Sequence, residues 1–552
     1  MEVYSKKVPI YFRHCRILSP ALVGFVGPSR SRELNDLSDL MNSGGLWPVD
    51  AEDHVILCVA FRWARLGWTP LLTVLLGVCL GLSGCIAAAD AVAPNGAEME
   101  SASRAVAALQ LTDPASGGEI EGYASAVSVN RGEDIKLYVN TKEPTYSIEV
   151  LRIGWYGGRA MKRMLPAVTR RGLSQASPIV DSASGLIECD WQDPYTLHVP
   201  DSDDPTVWPS GIYVAKLTAG STGKQSYIVF VVRDDRRPSD LLFQSSATTY
   251  QAYNDWGGRS LYSKPRASKV SFNRPYLHGH GTGNLLNWEL SLVLFLEKEG
   301  YDVTYSTDLD THEQGNLLSL HKGFLSTGHD EYWSWQMRDN VEAARDNGVN
   351  LAFFGANVAY WQIRFEPSAI TGDPDRTIIC YKNKSSDPIS SADDLPTRRL
   401  TTVKFRSSPV DRPEDALVGV MYESDPVQSD IVVADASSWV FEGTGLKNGD
   451  RLPGLLGYEV DRSSDHTPPG TSLLAHSPYP FRGSTRYSDM VLYSAPAGSI
   501  VFATGTMQWS WGLVDPGIEG KRYENSAVQR ATRNVLRHFG ARRSVSTSGS
   551  AQ

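Results

Sequence analysis

Hydrophobic and polar positions change period along the chain, and the changes divide it. Between residues 119 and 236, apolar and polar residues mostly alternate over short runs at 135–139, 147–153, 196–199, 211–217 and 225–232. A period of two is that of strands, and the Gly, Pro and Asn between the runs supply turns. Strands at this spacing predict an all-β sandwich of immunoglobulin-like kind, a scaffold by default and otherwise a glycan-binding or adhesion module. From Pro238 onward, short continuous apolar runs alternate with helical patterns. Residues 241–243, 301–305, 323–327, 349–354 and 499–505 read as buried strands, and 285–299, 334–347 and 527–539 as helices. The stretch 247–282 reads as a long loop, and beyond about residue 375 the pattern loosens into turns and short strands. Alternating strands and helices predict an α/β domain over 237–542, a parallel sheet covered on both faces.

The N-terminal segment reads as an address. Arg62 and Arg65 precede an apolar run at 71–82, which ends in Leu82-Ser83-Gly84-Cys85. Positive charge ahead of an apolar core is the layout of an export signal, and its end resembles a bacterial lipobox with Cys85 as the acylated residue. The expectation is an exported cell-envelope lipoprotein that meets the membrane through its N-terminal lipid. The alternatives are a plain signal cut near Ala87-Ala88-Ala89, hence secretion, and an uncleaved anchor. Residues 1–60 read as a mis-called or non-structural extension, 61–85 as the signal, 86–118 as a linker and 543–552 as a disordered tail. Cys15, Cys58 and Cys79 precede the mature chain, which leaves Cys189 and Cys380, enough for one disulfide.

Composition narrows the classes. The 552 residues carry 53 basic and 62 acidic side chains, net −9, with no basic block, which argues against nucleic-acid binding. Fourteen Trp and 48 Gly favour a loop-rich globular protein over a helical bundle. The absence of any G-x-S-x-G string weakens a serine-hydrolase reading.

Candidate chemistry gathers after the run ending at Gly328. His329, Asp330 and Glu331 follow at once, at the carboxyl end of a predicted strand, where open α/β sheets bind ligands. Asp330 is expected to cap the next helix. The same reasoning brings Tyr250, Asn357, Gln508 and Trp509 to that edge. Asp308, Asp310, His312 and Glu313 read as a solvated loop rather than a cation cluster, and His278-Gly279-His280-Gly281 as a flexible loop. Trp333, Trp335 and Trp361 read as core or pocket wall.

Three strings carry a resemblance: Tyr250-Gln251-Ala252-Tyr253-Asn254-Asp255-Trp256-Gly257-Gly258, Gly328-His329-Asp330-Glu331-Tyr332-Trp333, and Phe353-Phe354-Gly355-Ala356-Asn357-Val358-Ala359-Tyr360-Trp361. Over about residues 120–540 the chain resembles the large (beta) subunit of N,N-dimethylformamidase. The resemblance implies a glutamine-amidotransferase-like α/β fold and one iron(III) per chain, held by two tyrosines and a glutamate. By motif Glu331 is the carboxylate ligand and Tyr250 a phenolate, with Tyr253 as its alternative. The second phenolate is Tyr213 of the preceding domain, or again Tyr253. His329 and Asn357 match residues beside the metal; Glu459 matches a further acidic group or is a surface ion pair. Hard phenolate and carboxylate oxygens suit iron(III), and open positions leave room for water and a carbonyl oxygen. His329 or Glu459 would move protons, and Asn357 would donate to the developing oxyanion.

The implied function is hydrolysis of a small-molecule amide or related C–N bond. Three features depart from the resemblance, the first being the lipoprotein address, which that enzyme does not carry. The sequence shows no clear lectin-like module ahead of the β-domain and no sign of a small-subunit partner; homo-oligomers remain open. The alternative function is a non-catalytic surface lipoprotein that binds glycans or peptides.

Overall fold

The computed structural model describes residues 106–543 apart from 108, 205, 516 and 518–520. These belong to one compact unit, Ala88–Gln552. The extension, the signal run with Cys85, Cys15, Cys58 and Cys79, most of the linker, and the tail from 544 lie outside the described residues. Among the described residues no helix is long and apolar enough to cross a membrane.

The first β-region is built from two facing sheets. Ile120–Ala124, Asp134–Thr141 and Tyr195–His198 form one; Ser128–Asn130, Gln225–Arg233, Gly211–Ala219, Thr145–Ile153 and Met161–Arg163 form the other, in that spatial order, with Val168–Arg171 also paired to Thr145–Ile153. They share a core that includes Ile135, Leu137, Ile148, Val150, Leu217 and Phe230. Side chains alternate along a strand, and here both sets are buried. Tyr213, Ala215 and Leu217 of Gly211–Ala219 enter that core, whereas Ile212 and Val214 join the core of the following domain. Charge reinforces the junction. Arg152 Nη2 meets Glu297 Oε1 at 2.6 Å, and Arg233 Nη1 meets Asp310 Oδ1 at 2.8 Å.

The second region is organised by a seven-stranded sheet ordered Val303–Thr307, Leu241–Ser245, Gly323–His329, Asn350–Ala356, Ile500–Ala503, Ser484–Ser494, Ser472–Phe481. The first five run parallel, and the last two extend the sheet antiparallel. Alternation again decides the layers. Leu325, Ala352, Phe354 and Phe502 face the core shared with helices Leu290–Lys298 and Ser526–His538. Phe324, Leu351, Phe353 and Val501 face the core shared with Met337, Val341 and Ala344 of helix Trp335–Asp346. In chain order the parallel strands lie 2-1-3-4-5, so the path reverses between Leu241–Ser245 and Gly323–His329. The carboxyl edge beside such a switch point is where ligands bind.

Several expectations need correction. The stretch 247–282 is not all loop, since helix Ala247–Tyr253 opens it. Beyond 375 the chain is far from loose: Met421–Val432, Arg451–Arg462, Ser472–Phe481 and Ser484–Ser494 are long strands. Bulges in the first pair break its period. Residues 308–313 form a helix, with Asp310 closing a capping box on Thr307, so they are not a solvated loop. Ser334, not Asp330, caps helix Trp335–Asp346, accepting from Met337 N. Cys189 and Cys380 are both free and buried, in separate apolar clusters, so they form no disulfide.

Candidate active site

Glu331 is the centre of the carboxyl edge, and the backbone explains why it points there. Gly328 has φ of 67°, and a Cβ on it would lie 2.5 Å from Trp288 Cβ. Its strand neighbour is Gly355, where a Cβ would lie 2.5 Å from Gly328 O. Two glycines abreast therefore let the strands approach closely as they end. Beyond them, Glu331 N donates to Thr249 Oγ1 at 2.9 Å, and Glu331 O accepts from Tyr360 N and Trp361 N. Asp330, fully buried, accepts from Gln244, Ser326 and Trp333 Nε1, each at 2.8 Å. It locks the turn rather than the helix start. Asn357 and Ala359, with φ of 56° and 52°, hold left-handed conformations that cost a non-glycine residue strain. Ala359 N is tied to Asp330 O at 2.9 Å.

Two phenols converge on the carboxylate. Tyr253, the last residue of helix Ala247–Tyr253, donates to Glu331 Oε2 at 2.8 Å. The Tyr262 hydroxyl lies 3.0 Å from both carboxylate oxygens and accepts from Tyr332 at 2.6 Å. The Tyr253 and Tyr262 rings stack at 4.1 Å, and Lys382 Nζ sits 3.4 Å from the Tyr262 ring centre. Tyr262 belongs to a segment that is neither helix nor strand. Its shape is held by Arg274, which donates to the carbonyls of Asn254, Trp256 and Arg259 at 2.8–3.0 Å.

A second carboxylate stands behind His329. His329 Nε2 lies 3.3 Å from Glu459 Oε2 and 3.4 Å from Glu331 Oε2, yet it makes a directed hydrogen bond with neither. Asn357 Nδ2 donates to Glu459 Oε2 at 2.6 Å, and Asn357 N donates to Asp461 Oδ1 at 2.8 Å. Glu459 is buried, not a surface ion pair. The amide of Asn357 is seen orienting Glu459.

Burial and crowding set the protonation. Burial opposes the imidazolium of His329, but Glu459, Glu331 and Asp330 outweigh it and hold its pKa up at about 9. Burial raises Glu331, Glu459 pushes the same way, and His329 opposes both. Burial and then Glu331 push Tyr253 and Tyr262 well above the usual phenol range. Burial lowers Lys382 to about 8 against the pull of Glu331. The phenols therefore stay protonated here unless a cation takes the place of their protons.

The remaining candidates fall elsewhere. Tyr250 donates to buried Glu289, not to Glu331. Tyr213 lies in the sandwich core, where its hydroxyl donates to Pro209 O at 2.7 Å and its ring stacks on Trp208. Strand alternation turns it away from the carboxyl edge, so Tyr213 lies apart from the Glu331 cluster. Gln508 reaches the strand that carries Glu459, with its backbone N on Gly457 O at 3.0 Å, whereas Trp509 is fully buried. Trp333 is fully buried as well, as expected. Tyr262 and Lys382 escaped the sequence reading, and Tyr332 carries no role there although it belongs to the Gly328-His329-Asp330-Glu331-Tyr332-Trp333 string. Tyr262 and Lys382 leave as their trace an aromatic and a basic residue inside irregular polar stretches.

Comparison with known proteins agrees with the motifs. The family model described as N,N-dimethylformamidase beta subunit-like, C-terminal, matches residues 147–525. The N,N-dimethylformamidase beta subunit of Paracoccus aminophilus is 24% identical over 436 residues, 64% of this chain and 55% of the relative. That of an Alcaligenes species is 24% identical over 324 residues, 53% of this chain and 42% of the relative. The chain thus spans about half the length of these relatives. A solved structure, the Pseudomonas fluorescens alkylpurine DNA glycosylase AlkC, aligns at TM-score 0.14 and 16% identity, over 24% of this chain and 36% of that one. That likeness is too slight to bear on the fold. With the family model spanning the sandwich junction, the parallel sheet and every residue around Glu331, the chain belongs to the N,N-dimethylformamidase beta subunit-like, C-terminal family.

Proposed function

We propose that this chain is a metal-dependent hydrolase of amide or related C–N bonds, with Tyr253, Tyr262 and Glu331 holding one iron(III). The observation that carries the reading is the convergence of two phenol oxygens within 3.0 Å of one buried carboxylate. The donor set fits a hard trivalent cation, which prefers anionic oxygen. Among the described residues no group of three His, Cys, Asp or Glu is arranged to hold a metal, so a cation here needs the tyrosines. Bound iron would supply Lewis acidity, polarising a substrate carbonyl and acidifying water.

The protein's own groups have separable tasks in this reading. Glu459 and His329 share a buried contact and form the proton-handling pair. Asn357 fixes Glu459 through its amide. Lys382, over the Tyr262 ring, offsets the negative charge of the site. The sandwich, immunoglobulin-like in this proposal, buttresses the sheet, itself proposed to be glutamine-amidotransferase-like, and supplies no ligand. Because the relatives are named as beta subunits, the reading includes assembly with a further subunit.

Metal analysis of the aerobically purified full chain tests it. The expected result is about one iron per chain with a tyrosinate charge-transfer band in the visible, as phenolate ligation to iron(III) requires. A colourless, iron-free protein that does not take up iron(III) would overturn the proposal.

A further inference from the structure

A cavity of about 40 Å³ lies between the sandwich and the carboxyl ends of strands Leu241–Ser245 and Val303–Thr307, away from Glu331. That volume holds a few atoms of the size of water. Most of its wall is apolar or aromatic, including Tyr123, Ile228, Phe272 and Tyr276. Two arginines break the pattern. Arg274 is 1% exposed and Arg376 is 4% exposed, and both line the cavity.

Among the described residues neither guanidinium forms an ion pair with a carboxylate, although Asp255 acts on Arg274 and Asp373 and Glu188 act on Arg376 electrostatically. The hydrogen bonds of Arg274 all go to backbone carbonyls, and its Nε is buried with no acceptor. Arg376 donates to Asn273 Oδ1 and Ala124 O, each at 2.9 Å. Glu188, an acidic residue close to Arg376, accepts from Ser271 and Asn273 instead. Buried charges are normally paired, because removing a cation from water without a counter-ion costs several kcal/mol. Burial pulls both guanidinium pKa values down to about 10, which expresses that cost. Among the described residues, the other deeply buried arginines of the sandwich junction, Arg152 and Arg233, do have carboxylates.

We propose that this cavity binds a small monocarboxylate, whose charge completes Arg274 and Arg376 and whose short apolar body fills the aromatic wall. A guanidinium fork matches a carboxylate in shape and charge.

Thermal unfolding of the full chain in sodium acetate, against sodium chloride at equal ionic strength, tests this. A ligand bound only to the folded state raises Tm in a saturable way. We expect a saturable rise with acetate and none with chloride. Arg376→Gln should weaken the apparent affinity by about tenfold or more, a loss of about 1.4 kcal/mol in binding. Ala126→Met, which fills the cavity and leaves both arginines in place, should abolish the rise, and it decides the matter if Arg376→Gln fails to fold. Equal Tm values in the two salts, or an acetate response unchanged in Ala126→Met, would overturn the proposal.

Discussion

The hydroxyl of Tyr262 lies 3.0 Å from both carboxylate oxygens of Glu331, while that of Tyr253 lies 2.8 Å from Oε2 alone. Two stacked phenols therefore bracket one carboxylate from a helix end and from an irregular loop. If they hold iron(III), each phenolate contributes to the visible band. Tyr253→Phe and Tyr262→Phe should each shift the band and weaken iron binding, and the double variant should be colourless. Tyr250→Phe should leave the band in place, because its partner is Glu289. Absorption spectra of the four variants, with iron content measured in parallel, check the assignment.

Glu459 and Asn357 should separate chemistry from metal binding. Neither hydroxyl on Glu331 touches Glu459, whose contacts are His329 and the Asn357 amide. Glu459→Gln should retain iron and colour but slow amide turnover by about 100-fold, the low end of what a positioned acid–base group contributes. Asn357→Ala frees Glu459 to move and removes a charge-assisted hydrogen bond, so turnover should fall by about tenfold or more. Loss of iron in Glu459→Gln would instead make Glu459 a ligand.

How much of this was legible in the sequence follows from what encodes each part. The parallel strands are encoded by apolar runs, and a parallel sheet gathers its carboxyl ends on one edge, so Glu331, His329 and Asn357 could be brought together from pattern alone. Tyr262 could not. Its place depends on Arg274 binding three carbonyls of a loop without periodicity. Tyr213 misled because a strand tyrosine looks the same on either face; only the packing of its sheet on both sides shows that it turns inward. Glu459 sits on a bulged strand interrupted by Pro453, Gly454 and Gly457, whose alternation is too broken to read as a long strand.

Tyr213 should matter to stability alone. Its hydroxyl satisfies Pro209 O inside the sandwich. Tyr213→Phe leaves that part-buried carbonyl without this donor, a loss of about 0.5–1.5 kcal/mol. Chemical denaturation should show the lower stability, and the spectrum of the iron-loaded protein should match the parent. A changed band would return Tyr213 to the site.

Glu289 supplies a pH dependence that is independent of the metal. It is fully buried and accepts from Ser245 Oγ, Ser246 N and the Tyr250 hydroxyl. Burial raises its pKa to about 7, and those three hydrogen bonds offset only part of the effect. The folded protein thus holds this proton more tightly than the unfolded chain, whose carboxyl titrates near 4.5. Between those values the unfolded state binds fewer protons, so stability falls as pH rises from about 4.5 to about 7. At 1.36 kcal/mol per unit the full change is about 3 kcal/mol. Glu289→Gln keeps the shape without the titration. The difference in unfolding free energy between variant and parent should therefore shift toward the variant across this window and stay flat above it. Urea titrations at pH 4.5, 5.5, 6.5 and 7.5 measure that difference, and a constant offset at all four would show that Glu289 is already ionised in the fold.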